Sequence, residues 1–227
     1  MAANDGRLRS PSVSRRISIR FLHNEPSEST STLVLNAGGA TNLYTDFRPF
    51  LDNPANCDWA FAGQKEYISD GRCAFSHLVD NRVDKGGDAA PDVGLWKVLA
   101  NGDLLETGEM PNPASGRVEK YQEVWREEDI VPGTNVVALK LMDGDTVRGV
   151  CIQVGDWAQE VVRTEYGVCA RRSHFAESWR VVASHGPDSG MLMPLTGELI
   201  HDTSTYLSRV NNERVNWVVA ENYTWNP

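Results

Sequence analysis

The 227-residue chain, 41% hydrophobic and 23% charged, has the composition of a folded globular protein of one or two domains. Its formal net charge of −9, with no basic cluster, argues against a nucleic-acid surface. No apolar run approaches the length of a membrane-spanning helix, so no membrane association is expected. Residues 1–16 carry Arg7, Arg9, Arg15 and Arg16 with no apolar segment behind them. They read as a disordered tail rather than a secretory signal, which points to the cytoplasm.

In chain order, residues 17–22 (ISIRFL) alternate apolar and polar, the period-two mark of a strand with one buried face. Residues 32–36 form a second strand ended by Gly38-Gly39. Residues 43–48 form a third that leads to Pro49, which cannot donate a ladder hydrogen bond. Residues 59–68 and 72–79 form a hairpin about Asp70-Gly71. Residues 80–92, rich in Asp, Gly and Ala, are a loop. Residues 95–100 and 104–108 pair about a two-residue Asn101-Gly102 turn, and residues 118–125 close the first half.

Pro132-Gly133 marks a linker at residues 127–134, between an N-terminal unit at 17–126 and a C-terminal unit at 135–227. The second unit repeats the rhythm. Residues 136–142 and 147–154 pair about Asp143-Gly144, and residues 157–165 and 168–174 about Tyr166-Gly167. Residues 179–184 form a strand, 186–197 a loop, and 215–223 the closing strand; 198–209 hold either a short helix or one more strand.

The halves look related. Asp58-Trp59-Ala60 returns as Asp156-Trp157-Ala158, Trp96-Lys97-Val98-Leu99-Ala100 as Trp179-Arg180-Val181-Val182-Ala183, and Val124-Trp125 as Asn216-Trp217. The expected fold is all-β: two tandem antiparallel β-barrels related by internal duplication. About eight strands per half is the number at which a closed barrel holds packed side chains or one small ligand.

Phe47-Arg48-Pro49-Phe50, Trp59-Ala60-Phe61-Ala62-Gly63, Trp96, Glu106-Thr107-Gly108, Glu123-Val124-Trp125, Leu139-Lys140 and Gly155-Asp156-Trp157-Ala158-Gln159 together resemble the fungal Hri-one family. That resemblance implies two lipocalin-like barrels and no settled activity; it fades beyond Gly186. The chain is also similar to small lipocalin-like cyclases and isomerases of fungal secondary metabolism. This second resemblance implies ring closure or isomerisation of a polyketide- or terpenoid-type substrate, for example by intramolecular addition of a hydroxyl to an alkene.

No GxGxxG, P-loop, HExxH or GxSxG motif is present, and the five histidines have no ligand spacing, so neither cofactor nor metal is expected. The four cysteines, Cys57, Cys73, Cys151 and Cys169, are too widely spaced for a CxxC motif and read as free thiols. A cofactor-free site needs an apolar cavity with an acid and a base whose pKa values the cavity has shifted. Glu106, on an otherwise apolar strand, is one candidate. Glu123 shares a strand face with Tyr121 and Trp125, so the three either line a barrel or belong to a solvated acidic edge.

Arg48 stabilises developing negative charge or closes a barrel end over Trp59. His77 acts near neutral pH or is a satisfied half-buried histidine. Trp59, Phe61, Tyr67, Trp96 and Trp125 are the candidate substrate-binding residues, and Lys65 lies on the Trp59 face. The expected partner is a small hydrophobic ligand, or alternatively a protein.

Overall fold

The computed structural model describes residues 9–84, 87, 90–186, 205–210 and 213–227. Eight strands form the first unit: β1 (Ser12–Phe21), β2 (Leu33–Asn36), β3 (Leu43–Pro49), β4 (Cys57–Ser69), β5 (Arg72–Asp80), β6 (Asp92–Val98), β7 (Leu104–Pro111) and β8 (Val118–Glu127). They make a closed antiparallel barrel in chain order, with β8 returning to pair β1.

Seven strands follow: β9 (Asn135–Asp143), β10 (Thr146–Val154), β11 (Trp157–Thr164), β12 (Gly167–Phe175), β13 (Trp179–His185), β14 (Thr205–Val210) and β15 (Glu213–Thr224). Their order is β13-β12-β11-β10-β9-β15-β14, so here too the last strand pairs the first. The residues that join β13 to β14, 187–204, lie outside the described ones, as does most of the expected 186–197 loop. Among the described residues no helix is long and apolar enough to cross a membrane.

Counted back from the closing strand, the three tryptophan pairs occupy matching places. Trp59, Trp96 and Trp125 are on β4, β6 and β8, and Trp157, Trp179 and Trp217 on β11, β13 and β15. Their side chains do not all match. Trp59 faces the interior of the first barrel, whereas Trp157 packs on the apolar layer between the two units.

Two local expectations need correction. The first strand begins at Ser12, so residues 12–16 belong to the barrel rather than to a tail; Val13 enters the apolar core and Arg16 the barrel interior. Asn101-Gly102 is not a two-residue turn. The loop runs from Leu99 to Asp103, closed by Leu99 N–H donating to Asp103 O, and only Gly102 has positive φ. Asp70-Gly71, by contrast, has φ of 52° and 79°, the backbone of a type I′ hairpin. The segment 198–209 resolves as strand in its described part, β14.

One layer joins the two units. β10 and β11 lie against β2, β3, β4 and β5. The shared core takes Leu33, Leu35, Leu43, Phe47, Ala60 and Ala62 from the barrel, and Val136, Ala138, Val150, Ile152, Val154 and Val161 from the sheet. All seven residues of β3 are buried, because its two faces meet different neighbours. Leu43 and Phe47 face the second sheet, with Thr45 between them, while Tyr44, Asp46 and Arg48 face into the barrel.

Polar bridges cross the layer. Gln159 Nε2 donates to Leu33 O at 3.0 Å and Thr45 O at 3.1 Å. Arg172 donates to Gln159 Oε1 at 2.8 Å, Ser31 O at 2.8 Å and Phe47 O at 2.6 Å. Burial, with Arg15 next, holds the Arg172 pKa down at about 9. Tyr223 from β15 donates to Ala37 O at 2.6 Å. The far face of the sheet packs its own core of Leu139, Leu141, Cys151, Val162, Cys169 and Trp217.

Candidate functional site: the cavity of the N-terminal barrel

The first barrel encloses a cavity of about 70 Å³, several times what one water molecule needs. Its inward positions carry aromatic and charged side chains because the apolar face of β2, β3 and β4 is turned outward to the second sheet. Eight of the ten residues chosen from the sequence line it: Arg48, Trp59, Phe61, Trp96, Glu106, Tyr121, Glu123 and Trp125.

Tyr67 and His77 do not line it. Tyr67 is exposed at the β4–β5 turn, where its hydroxyl accepts from Gly71 N–H. His77 lies behind the wall, its ring 4.6 Å from that of Phe61.

Glu106 is the central group. It is 6% exposed; Tyr121 donates its hydroxyl to Oε1 at 2.8 Å and Trp125 Nε1 donates to Oε2 at 3.1 Å. Burial, with the nearby Glu123 carboxylate, pushes its pKa up to about 8, against the opposing pull of Tyr121 and Arg48. Burial and the same two carboxylates also raise the Tyr121 phenol far above its ordinary value.

Two mid-strand glycines make this arrangement possible. A Cβ on Gly94 would stand 2.3 Å from Glu106 Oε1, and one on Gly108 would stand 2.8 Å from Tyr121 Cε1. Tyr121, the cross-strand partner of Gly108, lies into the space its missing side chain leaves, and Glu106 on β7, diagonal to Gly94 on β6, lies into the other.

Glu123 is not part of a solvated edge. It is 3% exposed and accepts from Arg16 Nη1 at 2.6 Å. Arg16 also pairs with Glu28 at 2.6 Å, and Arg48 Nη1 stands 3.8 Å from Glu123. Arg48 is committed to Asp46, donating through Nη2 at 2.7 Å and through Nε to both carboxylate oxygens at 3.1 Å. Burial disfavours both guanidinium charges, but the carboxylates outweigh it and both pKa values are raised.

Trp59 is clamped between Arg48, 5.0 Å from its ring, and Arg82, 4.1 Å from it, with Nε1 donating to Asp80 Oδ1 at 2.8 Å. His77 Nδ1 lies 2.7 Å from Asp80 and Nε2 3.3 Å from Asp92. Burial lowers its pKa, but the two aspartates win and carry it to about 9, so His77 is a cation at neutral pH.

Sequence reasoning missed Arg16, Glu28 and Asp46, which complete the buried ion-pair network. Arg16 reads as part of a tail because four arginines without an apolar segment behind them look like solvated charge. Asp46 offered a signal: it sits two residues from Arg48 in a strand, so both share a face. Gly94 and Gly108, inside strands, were a second signal.

A closed antiparallel barrel with a buried carboxyl facing its cavity, packed through its outer face on a second, seven-stranded antiparallel sheet, defines a two-unit, cavity-bearing β protein. The chain belongs to the family described as Protein HRI1, whose model matches residues 12–221. It is similar in fold to the crystal structure of uncharacterized protein YLR301w from Saccharomyces cerevisiae, with a TM-score of 0.73 at 20% identity, covering 94% of this chain and 99% of that one. No curated protein matches it.

Proposed function

We propose that the N-terminal barrel binds a small molecule and uses Glu106, with Tyr121, as an acid–base centre for a cofactor-free isomerisation or ring closure. The observation that carries this reading is the Glu106 carboxyl, enclosed by aromatic walls with its pKa near 8. A general acid works best when its pKa lies near the working pH, and about 10²- to 10⁴-fold in rate is what such a group contributes. Tyr121 fixes the carboxyl and passes its hydrogen bond on as charge changes. The cavity volume favours a compact substrate over an extended polyketide or terpenoid. The free thiols of Cys57, Cys73 and Cys151 support a reducing, cytoplasmic setting.

Binding without turnover is the second reading. It is favoured by the commitment of Arg48 to Asp46 and of His77 to Asp80, which leaves neither free to act on a ligand. Titration of compact ligands against tryptophan fluorescence, with product analysis by NMR, separates the two. The catalytic reading expects saturable binding, product formation above the buffer rate, and loss of turnover with binding retained in Glu106→Gln. Binding with no chemical change leaves the second reading and removes the first.

A further inference from the structure

Asp46, Asp92, Glu109, Glu123 and Glu127 line the cavity with the carboxyl of Glu106, against Arg48 and Lys65. Asp46 is paired with Arg48, Glu123 with Arg16 and Asp92 with His77, so among the described residues the unpaired acidic excess lies with the exposed Glu109 and Glu127. Arg48 is held by Asp46. An anionic ligand would therefore meet a surplus of like charge with no free guanidinium to receive it. The walls suit the opposite sign, since aromatic faces attract cations, and more strongly when desolvated.

The chain itself supplies an example. The Lys65 ammonium rests 5.2 Å from the Trp96 ring and 5.6 Å from the Phe75 ring. A second observation concerns hydrogen bonding: Trp96 Nε1 is buried and has no acceptor among the described residues. An unpaired buried donor costs free energy that a ligand oxygen would recover.

We propose that the barrel's ligand is a small organic cation bearing an oxygen acceptor, an alkylammonium alcohol in chemical class, with its cationic head on the aromatic walls beside Glu106 and its oxygen at Trp96 Nε1. Lys65 occupies the cation position at the mouth and leaves it when the ligand enters. This rests on the small-molecule reading above and narrows its ligand class.

A cation beside Glu106 also favours its ionised form, so binding expels the proton that the empty site holds. Glu106 is faced by Tyr121, Glu123 and Trp125 from β8, Asp92 from β6, Arg48 from β3 and Cys73 from β5. The Gln variant isolates its contribution from theirs.

The test is calorimetric titration with choline and with its neutral carbon isostere, 3,3-dimethyl-1-butanol, between pH 6 and pH 7.5. Choline should bind at least tenfold tighter than the isostere. Its affinity should rise by up to about tenfold per pH unit, the limit for one proton released per ligand, and this rise should vanish in Glu106→Gln. Lys65→Met should bind choline several-fold tighter, and Trp96→Phe should lose the preference for choline over tetramethylammonium.

Equal or tighter binding of the isostere overturns the cation inference while leaving the small-molecule site standing. If choline, the isostere and benzoate all fail to bind wild type and Lys65→Met, the site reading fails with it. Lys65 and Trp96 lie outside the ion-pair network, so a retained unfolding midpoint in their variants confirms that a negative result is not misfolding.

Discussion

Replacing Glu106 by Gln should change not only the stability of the protein but its dependence on pH. Glu106 titrates near 8 in the folded chain and near 4.5 when unfolded. Below pH 4.5 it is protonated in both states and nothing is lost. Between 4.5 and 8 the folded state holds one proton more than the unfolded, so stability falls as pH rises, by up to about 1.36 kcal/mol per pH unit. Above 8 the loss is complete, of order 5 kcal/mol, with about 3 kcal/mol already incurred at pH 7.

Gln keeps the shape and removes the titration. Its oxygen can accept from Trp125 while its amide donates to the Tyr121 hydroxyl oxygen. Urea unfolding of wild type and Glu106→Gln at half-unit intervals from pH 5 to pH 8 checks this. Burial also pushes Glu160 up to about 7, but that group is present in both proteins and cancels in the difference. The stability of the variant relative to wild type should grow steadily with pH across the window. Parallel curves would refute the claim that burial holds a proton on Glu106.

The network around Glu106 gives further expectations. Arg16→Met leaves the Glu123 carboxylate buried without its 2.6 Å partner, and the loss should be about 3–5 kcal/mol by urea denaturation. Gly94→Ala places a methyl 2.3 Å from Glu106 Oε1, so the carboxyl must move; ligand-dependent tryptophan fluorescence should be lost even where the far-ultraviolet dichroism is kept. Arg172→Met removes the guanidinium's hydrogen bonds to Gln159 Oε1, Ser31 O and Phe47 O in the layer between the units, a loss of about 1–3 kcal/mol. The thermal unfolding midpoint should fall, with hydrogen exchange accelerating first in β2 and β3.

Much of this fold is legible locally. Asp70-Gly71 announces a hairpin because both residues tolerate positive φ, and the structure turns there. The run Tyr121, Glu123, Trp125 shares a face because strand side chains alternate, and all three line the cavity. β3 is less legible: alternation in Leu43-Tyr44-Thr45-Asp46-Phe47-Arg48 separates Leu43 and Phe47 from Asp46 and Arg48, but a charged strand face ordinarily lies toward water. Its charges instead face the barrel interior, since its apolar side is covered by the second sheet. Gln159 carries no local sign of its role, yet it reaches outward to β2 and β3.

The sequence by itself determined an all-β chain in two units, most of the hairpins within each, and the family to which the motifs belong, because alternation, turn residues and tryptophan spacing act over short stretches. Only the tertiary structure decided which face of each strand is inside. That choice depends on what covers the other face, and the cover comes from residues more than a hundred positions away: Gln159 and Arg172 against Leu33, Thr45 and Phe47. It also decided the state of Glu106. Its proton is held by the low-dielectric cavity and by Glu123 on the neighbouring strand, and the carboxyl fits there because Gly94 leaves room on the other side.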